Sequence, residues 1–405
     1  MKKIFTTIIF IIFISTLNAQ WSSQSSGSSV ALTGVSFTDG KIGTVVGENG
    51  TILRTTNGGT TWTEQSSGVL IDLFSVSFID SFGTAVGDLS RILRTTNSGT
   101  DWVEQSGGTT NTLRGVSFTN SSNGTIVGNS GQILRTTNGG TTWIEQSSGT
   151  TNILRGVSFT DINNGTAVSQ NGKILRTTNG GVSWDEQPSR TLNNLYGVSF
   201  TDSNNGTVVG QNGKILRTIN GGTNWVSQIS GTTNNLFAVS FTDTANGTAV
   251  GEGGKILRTT NGGTNWITQS SGTFDDLLGV SFTDDDSGTI VGENGTILRT
   301  NNGGGVTSAE DENDLTTPND FFLSQNFPNP FNPSTIINFS VPKQSNVTLI
   351  IYDVIGNEVT ALVDEEKSIG NYSVEFSALN HSSGIYYYQM RTDGFIQTKK
   401  MILLK

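Results

Sequence analysis

The stretch Ile52-Leu53-Arg54-Thr55-Thr56-Asn57-Gly58-Gly59-Thr60-Thr61-Trp62 decides the fold, because it returns with small changes along most of the 405-residue chain. Its arginine recurs at a spacing of 40 residues once and 41 residues five times. The copies are Arg54, Arg94, Arg135, Arg176, Arg217, Arg258 and Arg299. A repeat of this length indicates a closed or stacked array of similar structural units.

Each repeat unit has the composition of short β-strands separated by turns. After the Trp comes a Gln-Ser-Ser-Gly linker, then a run such as LRGVSFT at 113–119 and a turn into a run such as TAVG at 248–251. These runs of Val, Ile, Thr and Phe are bounded by Gly, Asn, Asp and Ser and show no helical periodicity. Four short strands in about 41 residues are typical of one blade of a β-propeller.

The tryptophans give the number of blades and predict how the ring closes. All seven belong to the repeat: Trp21, Trp62, Trp102, Trp143, Trp184, Trp225 and Trp266. Trp21 precedes the first arginine, whereas position 307, where the last repeat should have Trp, is Thr. We therefore predict an all-β fold with a seven-bladed propeller, in which the N-terminal strand Trp21 to Gln24 completes the last blade and leaves no open sheet edge.

The first 19 residues have the features of a secretory signal peptide. Lys2 and Lys3 precede an apolar run from Ile4 to Ile14, and Ala19 provides a small-residue cleavage site. The apolar run is too short to span a bilayer, and no later run is long enough either. We expect an exported protein without a transmembrane segment, with the mature chain beginning near Gln20.

Composition excludes several classes of function. The net charge of −10 argues against nucleic acid as a partner, since phosphate binding needs clustered Lys and Arg. There is no Cys, and the single His, His381, lies outside the repeats. A Ser-His-Asp or Cys-His nucleophile or a His-based zinc site therefore cannot form in the propeller. We expect no cofactor and no bound metal. The composition does not exclude catalysis by a pair of Asp or Glu carboxylates.

The composition changes after residue 306. We predict a propeller over residues 20–306, an exposed linker over 307–321 and a second domain over 322–405. Five of the six Tyr and five of the six Pro lie from position 318 onward. The second domain should hold six or seven strands and a hairpin turn at Asp393-Gly394, which predicts a small Ig-like β-sandwich.

Three segments of the second domain resemble the C-terminal sorting domain of proteins exported by type IX secretion. They are LSQNFPNPFNPSTIINFSVP, VTLIIYDVIGNEVTALV and GIYYYQMRTDGFIQTKKMILLK. The match departs at Phe376-Ser377-Ala378, where the family often has Trp-Asp-Gly. The resemblance implies passage through the periplasm, recognition by the type IX machinery, and release from the cell or retention on the outer-membrane surface. It also implies removal of the domain by cleavage in the linker.

The repeats resemble Asp-box, or BNR-like, propellers, and within that group the propellers related to photosystem II assembly factors. The stretch from Thr55 to Trp62 fits the Asp-box pattern with Asn57 at the Asp position, and six boxes are complete. The resemblance implies that the box is a turn between the third and fourth strands, capped by its own side chains. An assembly factor for a membrane complex is a further hypothesis, although an export signal fits it poorly.

Sialidases and other glycosidases also carry Asp-boxes, so a glycoside hydrolase using paired carboxylates is the alternative to a binding protein. The propeller has a single Tyr, Tyr196, as a candidate sialidase nucleophile, and its seven repeat arginines are copies of one position rather than a triad. No repeat carries an insertion that could build a substrate pocket. We therefore expect that the protein is not an enzyme.

The repeat arginines should be structural. The first and third strands of a blade run in the same direction, so each arginine should lie near the turn that follows Val-Ser-Phe. Those turns carry Asp39, Asp80, Asp161, Asp202, Asp243 and Asp284, with Asn120 as the exception. We predict Arg–Asp pairs within or between blades. The Asp-rich turns at 161–165 and 284–288 partly match a calcium loop but lack its distal Glu, which favours turn capping.

One column of the repeat varies widely in residue type between blades and is the candidate ligand site. Four residues before the Phe of each Val-Ser-Phe the blades have Thr33, Phe74, Arg114, Arg155, Tyr196, Phe237 and Leu278. The column starts the innermost strand and should ring the mouth of the central channel, opposite the Asp-boxes. Phe74, Arg114, Arg155, Tyr196 and Phe237 are the candidate binding residues, because aromatic and Arg side chains carry most interface energy. The alternative is that the column only packs between blades.

These features together predict a secreted or surface-held, non-catalytic propeller that binds an extracellular protein or glycan and is monomeric.

Overall fold

The computed structural model describes residues 21–305 and 321–404, except positions 325, 327, 328 and 380. The chain divides into two compact units, one ending at Val306 and the other beginning at Thr307. The predicted signal peptide and all of the predicted linker except residue 321 lie outside the described residues. The domain boundaries given above therefore remain predictions.

The first unit consists of seven four-stranded antiparallel sheets, which confirms the predicted seven-bladed propeller. The strands of blades 1 to 3 are β2 (Leu32–Phe37), β3 (Gly43–Gly47), β4 (Ile52–Thr55) and β5 (Thr63–Glu64); β6 (Leu73–Ile79), β7 (Phe82–Gly87), β8 (Ile92–Thr95) and β9 (Val103–Gln105); and β10 (Leu113–Phe118), β11 (Gly124–Gly128), β12 (Ile133–Thr136) and β13 (Ile144–Gln146).

Blades 4 to 6 repeat this order. Their strands are β14 (Leu154–Phe159), β15 (Gly165–Ser169), β16 (Ile174–Thr177) and β17 (Asp185–Gln187); β18 (Leu195–Phe200), β19 (Gly206–Gly210), β20 (Ile215–Thr218) and β21 (Val226–Gln228); and β22 (Leu236–Phe241), β23 (Gly247–Gly251), β24 (Lys255–Thr259) and β25 (Ile267–Gln269). A short 3₁₀ turn joins the second and third strands of every blade, at Glu48–Gly50, Asp88–Ser90, Asn129–Gly131, Gln170–Gly172, Gln211–Gly213, Glu252–Gly254 and Glu293–Gly295.

Blade 7 joins the two ends of the propeller, as the tryptophan pattern predicts. It contains β26 (Leu277–Phe282), β27 (Ser287–Gly292) and β28 (Ile297–Asn301), and the N-terminal strand β1 (Ser22–Gln24) pairs with β28 as its outer strand. Trp21 is only 3% exposed. Its indole packs edge-to-face on Phe282 at 5.9 Å between ring centroids and donates a hydrogen bond to Gln269 Oε1 at 2.9 Å. The N-terminal segment therefore closes the ring.

The alternating strand directions give the propeller two distinct faces. The inner strands begin on one face, which also carries the 3₁₀ turns and the linkers between blades. We call this the mouth face. The inner strands end on the other face, which carries the Asp-boxes and is called the box face. A residue at the start of an inner strand therefore lies opposite the Asp-boxes.

Neighbouring blades are joined by the same contacts at each seam. The backbone N–H of each inner-strand Phe donates to the Ser of the preceding blade, for example Phe200 to Ser158 at 3.2 Å, and Phe37 to Ser281 closes the circle at 3.3 Å. Small residues lie where the inner strands meet: Gly in five blades, Ser75 in blade 2 and Ala238 in blade 6. A Cβ on Gly34 would lie only 3.1 Å from the Phe74 carbonyl oxygen and from the Ser75 Cα. The repeat sequence thus encodes the close spacing of the blades.

The second unit is a two-sheet sandwich, which confirms the predicted fold. Its strands are β29 (Phe322–Leu323), β30 (Ser334–Val341), β31 (Ser345–Tyr352), β32 (Glu358–Lys367), β33 (Gly370–Ser377), β34 (Gly384–Thr392) and β35 (Phe395–Leu403). One sheet has the order β29-β30-β33 and the other β32-β31-β34-β35, with one shared apolar core. Asp393 and Gly394 form the predicted hairpin turn, since Thr392 pairs with Phe395.

Candidate functional site

The Asp-box turns are held by their own side chains. In blade 1 the Thr55 hydroxyl accepts a hydrogen bond from the Gly59 N–H at 2.9 Å, and Asn57 Oδ1 accepts one from the Thr61 N–H at 3.0 Å. Thr55 Oγ1 also donates to Asn57 Oδ1 at 2.9 Å. The side-chain oxygen of Asn57 therefore caps the turn, as the carboxylate of an Asp would.

The repeat arginines cross the seams between blades. Arg135 Nη1 donates to Thr125 Oγ1 at 2.9 Å within its own blade, and Nη2 donates to the Ile162 carbonyl of the next blade at 3.0 Å. Its guanidinium lies over the ring of Phe159, also in the next blade, at 5.1 Å from the centroid. Burial lowers the pKa of Arg135. Each such arginine thus joins two blades through a hydroxyl, a carbonyl and an aromatic face.

The predicted Arg–Asp pairs do not form direct ion pairs, although Asp161 and Asp202 are near enough to act on the charges of Arg176 and Arg217. Among residues 21–305 no ion pair joins a repeat arginine to an Asp. The carboxylates cap their own turns instead: Asp161 Oδ1 accepts from the N–H groups of Asn163 at 2.7 Å and Asn164 at 2.9 Å. Burial acts to raise the pKa of Asp161, but hydrogen bonds from Asn163 and Asn164 and the positive charge of Arg176 hold it below its usual value. The guanidinium instead reaches the turn carbonyl across the seam.

Arg54 is an exception that follows from the single 40-residue spacing. The turn after the inner strand of blade 2 is shortened to Asp80 and Ser81, with Ile79 pairing directly with Phe82. Arg54 Nε therefore donates to the Ser98 carbonyl in the Asp-box of blade 2. One deleted residue is enough to change the partner of this arginine.

The varied column lines a single cavity at the centre of the mouth face. The cavity has a volume of 330 Å³ and is lined by Thr33, Phe74, Arg114, Arg155, Tyr196, Phe237 and Leu278. Each of these residues is the extra residue of a β-bulge, as between Leu113 and Gly115 and between Leu195 and Gly197. A bulge changes the direction of one side chain without disturbing the rest of the strand. The fold therefore provides seven variable positions around one opening.

Five of these side chains form two neighbouring stacks, which together make an arc around the mouth. The guanidinium of Arg114 lies over Phe74 at 5.1 Å from the centroid, and that of Arg155 over Tyr196 at 5.2 Å. Tyr196 in turn packs on Phe237 at 5.7 Å between centroids. Burial lowers the pKa of Arg114, and the positive charge of Arg155 lowers it further. The arc therefore holds two partly buried cations close together.

The other two positions are less suited to binding. Thr33 Oγ1 donates to the backbone carbonyl of Leu73, so its hydroxyl is used within the fold. Leu278 offers only an apolar side chain. The mouth is thus asymmetric, with its polar and aromatic groups on blades 2 to 6.

Two features of the mouth face were not predicted from the sequence. Asn129 Oδ1 accepts from Arg114 Nε at 2.7 Å and fixes the position of that guanidinium. The linker tips of three blades expose Leu70, Leu192 and Phe274, the last 95% exposed. These three occupy one column of the repeat, four residues before the mouth residue, where the other blades have Ser29, Thr110, Thr151 and Thr233.

Within the described residues no group of His, Asp or Glu side chains is arranged to hold a metal ion. Asp285 Oδ2 accepts from Asn246 Nδ2 of blade 6 at 3.1 Å. No helix within the described ranges is long and apolar enough to cross a membrane.

The sequence motifs of the second unit meet in space. The Phe331 N–H donates to the Ile402 carbonyl at 2.9 Å, and the Leu404 N–H donates back to the Phe331 carbonyl at 3.0 Å. Asn329 Oδ1 accepts from the Ile402 N–H at 2.9 Å. The Asn-Pro-Phe-Asn-Pro run is therefore bound along the last strand of the chain. Phe376, at the departure from the family pattern, is buried in the core.

Two sequence families match the chain. The family described as photosynthesis system II assembly factor YCF48 matches residues 14–106, 102–185, 145–227 and 188–273, which together cover more than half of the chain. The chain belongs to this YCF48 family. A secretion system C-terminal sorting domain matches residues 325–404. This YCF48-family propeller is thus exported by type IX secretion to the cell surface or the extracellular space.

Solved structures support the fold assignment. A structure of YCF48 bound to a D1 peptide is similar with a TM-score of 0.60 and 22% identity, over 69% of this chain and 96% of that chain. YCF48 from Cyanidioschyzon merolae matches with a TM-score of 0.60 and 21% identity, over 69% and 98% of the two chains. The WD40 propeller of Doa1 matches at 0.58 and 12% identity, over 69% and 96%. Comparison with curated proteins found no match.

Proposed function

We propose that the mouth face of this secreted YCF48-family propeller binds an extracellular polypeptide and that the protein has no catalytic activity. The contacts come mainly from Phe74, Arg114, Arg155, Tyr196 and Phe237. The observation that carries the proposal is that one varied column of the repeat lines a single cavity, with two arginines stacked on aromatic rings at its edge. Scaffold positions repeat, whereas a ligand-binding position has to differ between blades.

The chemistry of the arc favours a ligand with a carboxylate. Two guanidinium groups held close together repel each other, and an anion between them offsets that repulsion. A guanidinium suits bidentate binding of a carboxylate. The ligand group would be an Asp or Glu side chain or a C-terminal carboxylate.

The surroundings of the mouth favour a polypeptide over a glycan. Leu70, Leu192 and Phe274 expose large apolar side chains on the same face as the cavity. Such residues at the rim of a polar site are typical of protein-binding surfaces. A relative in the same family has been solved with a peptide bound. A glycan partner is therefore the second outcome of the test below.

The residues at the mouth do not favour a hydrolase. Hydrolysis of a glycosidic bond by two carboxylates needs an acid and a base on either side of the bond. None of the seven residues that line the mouth carries a carboxylate. A propeller that binds with Arg and aromatic side chains is the simpler function for this site.

The test is to probe arrays of extracellular proteins and of glycans with the purified propeller and then with the Arg155→Ala variant. We expect capture of a protein, a loss of affinity of about 2 kcal/mol or more in the variant, and little change in melting temperature. Binding that survives the substitution together with a lower melting temperature would mean that the column only packs. Turnover of a glycan would establish the hydrolase instead.

A further inference from the structure

The seam between blades 2 and 3 departs from the repeat on the mouth face. The central residue of each 3₁₀ turn has a left-handed backbone and is Asn49, Ser130, Asn171, Asn212, Gly253 or Asn294 in six blades. In blade 2 it is Leu89, with φ of 51°. Asn and Gly accept this conformation readily, but a Leu does not. Leu89 is also 68% exposed, so neither its backbone nor its side chain stabilises the fold.

Two further exchanges change the residues at this seam. Other blades follow the central residue with Gly, because a Cβ at Gly50, for example, would lie 2.1 Å from the Val69 carbonyl. In blade 2 the position of this Gly is occupied by Ser90, which also has a positive φ. The linker after blade 2 has Gly107 at the position where the linker after blade 1 has Ser67. A Cβ on Gly107 would lie 3.4 Å from Ser90 Oγ. The serine and the glycine have thus changed places across the seam.

Gln132 holds the altered linker. Its Oε1 accepts from Thr109 Oγ1 and from Asn111 Nδ2, both at 2.9 Å. The equivalent residues of the other blades are Thr51, Arg91, Lys173, Lys214, Lys255 and Thr296. Gln132 is only 5% exposed, and its Nε2 has no hydrogen-bond partner among residues 21–305. A buried donor of this kind is costly unless something accepts from it.

These residues line a groove of 870 Å³ that begins beside the mouth. Leu89 and Gln132 lie along it, and Glu104 and Glu145 line its outer part. Asp88, the neighbour of Leu89, accepts a hydrogen bond at 2.9 Å from Thr112 Oγ1, two residues before the mouth residue Arg114. The groove therefore starts next to a mouth arginine. Its outer part carries two carboxylates, of which Glu104 is paired with Arg91.

We propose that this groove is a second subsite for the polypeptide bound at the mouth, and that it accepts an extended segment of the same chain. An apolar side chain of the ligand lies on Leu89, a backbone carbonyl accepts from Gln132 Nε2, and a basic side chain reaches Glu145. The mouth arginines hold the acidic end. The charges therefore set the direction of the bound chain. This inference rests on the proposed function.

The test uses a fluorescent peptide of about ten residues, roughly 33 Å long when extended. It has Lys near its N terminus, Leu in the middle and Asp before a free C-terminal carboxylate, and it is compared with charge-reversed and scrambled versions. The variants are Leu89→Asn and Gln132→Thr, which restore residues found at these positions in other blades. The matched control is Lys214→Thr, which places the same residue, Thr, at the equivalent position of blade 5.

We expect the designed peptide to bind more tightly than both control peptides. Each seam variant should weaken its binding about tenfold, whereas Lys214→Thr should not. Leu89→Asn should keep or raise the melting temperature, because it relieves the left-handed Leu. If both seam variants bind like wild type while Arg155→Ala does not, the groove proposal is overturned and the mouth stands. Equal binding of all three peptides overturns the predicted direction. If wild type binds none of them, both proposals fail.

Discussion

Removal of the Trp21 side chain should weaken the closure of the ring and destabilise the whole propeller. Trp21→Ala deletes a nearly fully buried indole, its edge-to-face contact with Phe282 and its hydrogen bond to Gln269. Truncation of a buried Trp costs about 3–5 kcal/mol, and the hydrogen bond accounts for about 1 kcal/mol of this. For a propeller of this length the unfolding entropy is about 0.6 kcal/mol/K, so the melting temperature should fall by roughly 5–8 °C.

The assay is thermal unfolding of the isolated propeller followed by circular dichroism. Phe274→Ala is the matched control, because it removes an aromatic ring that is 95% exposed and should change stability by less than about 0.5 kcal/mol. A chain that starts at Ser25 lacks all of β1 and leaves β28 as an open edge, so it should be less stable still. If that chain melts at the wild-type temperature, closure by the N-terminal strand is refuted.

Three further predictions follow from the contacts. Arg176→Lys should cost about 1–3 kcal/mol in denaturant unfolding, because Lys cannot donate to both Thr166 and the Ser203 carbonyl; a neutral result would contradict the role of the seam arginines. Deletion of 322–405 should leave a folded propeller in the periplasm, and normal amounts in the medium would argue against the sorting role. Hydrogen bonds from the backbone amides of Ile42 and Lys41 hold the pKa of the Asp39 carboxyl below its ordinary value of 3.8. The ionised carboxylate therefore stabilises the fold above pH 3.8, and this stabilisation is lost as the pH falls through the lowered pKa. Asp39→Asn should make acid unfolding less dependent on pH in this range.

The fold could be predicted from the sequence because each strand and turn of the blade occurs six or seven times in the repeat. The position of Trp21 and the Thr at 307 together indicate closure, and the structure confirms it. The mouth column could also be located, because strand direction alone places its residues at one opening. What the sequence did not show is that each of these residues lies at a β-bulge, since a bulge depends on register rather than on residue type.

The partners of the repeat arginines could not be predicted because they depend on the spacing between blades. Asp161 and Arg176 belong to the same repeat, and their opposite charges suggested a pair. In the structure Arg176 reaches the Ser203 carbonyl of the next blade, while Asp161 caps its own turn. The special seam did leave a signal in the sequence. Leu89 stands at a position that is Asn, Gly or Ser in the other blades, and Gly107 stands at a position that is Ser in the other blades.

The central claim is that a ligand is recognised on the mouth face, and the most direct test is the dissociation constant of the captured partner for two matched variants. Tyr196→Ala removes an aromatic side chain from the arc, whereas Val182→Ala removes an apolar side chain, 85% exposed, from an Asp-box on the opposite face. We predict that Tyr196→Ala weakens binding about 30-fold, which corresponds to about 2 kcal/mol, and that Val182→Ala leaves it unchanged. Loss of binding in Val182→Ala with full affinity in Tyr196→Ala would contradict the account.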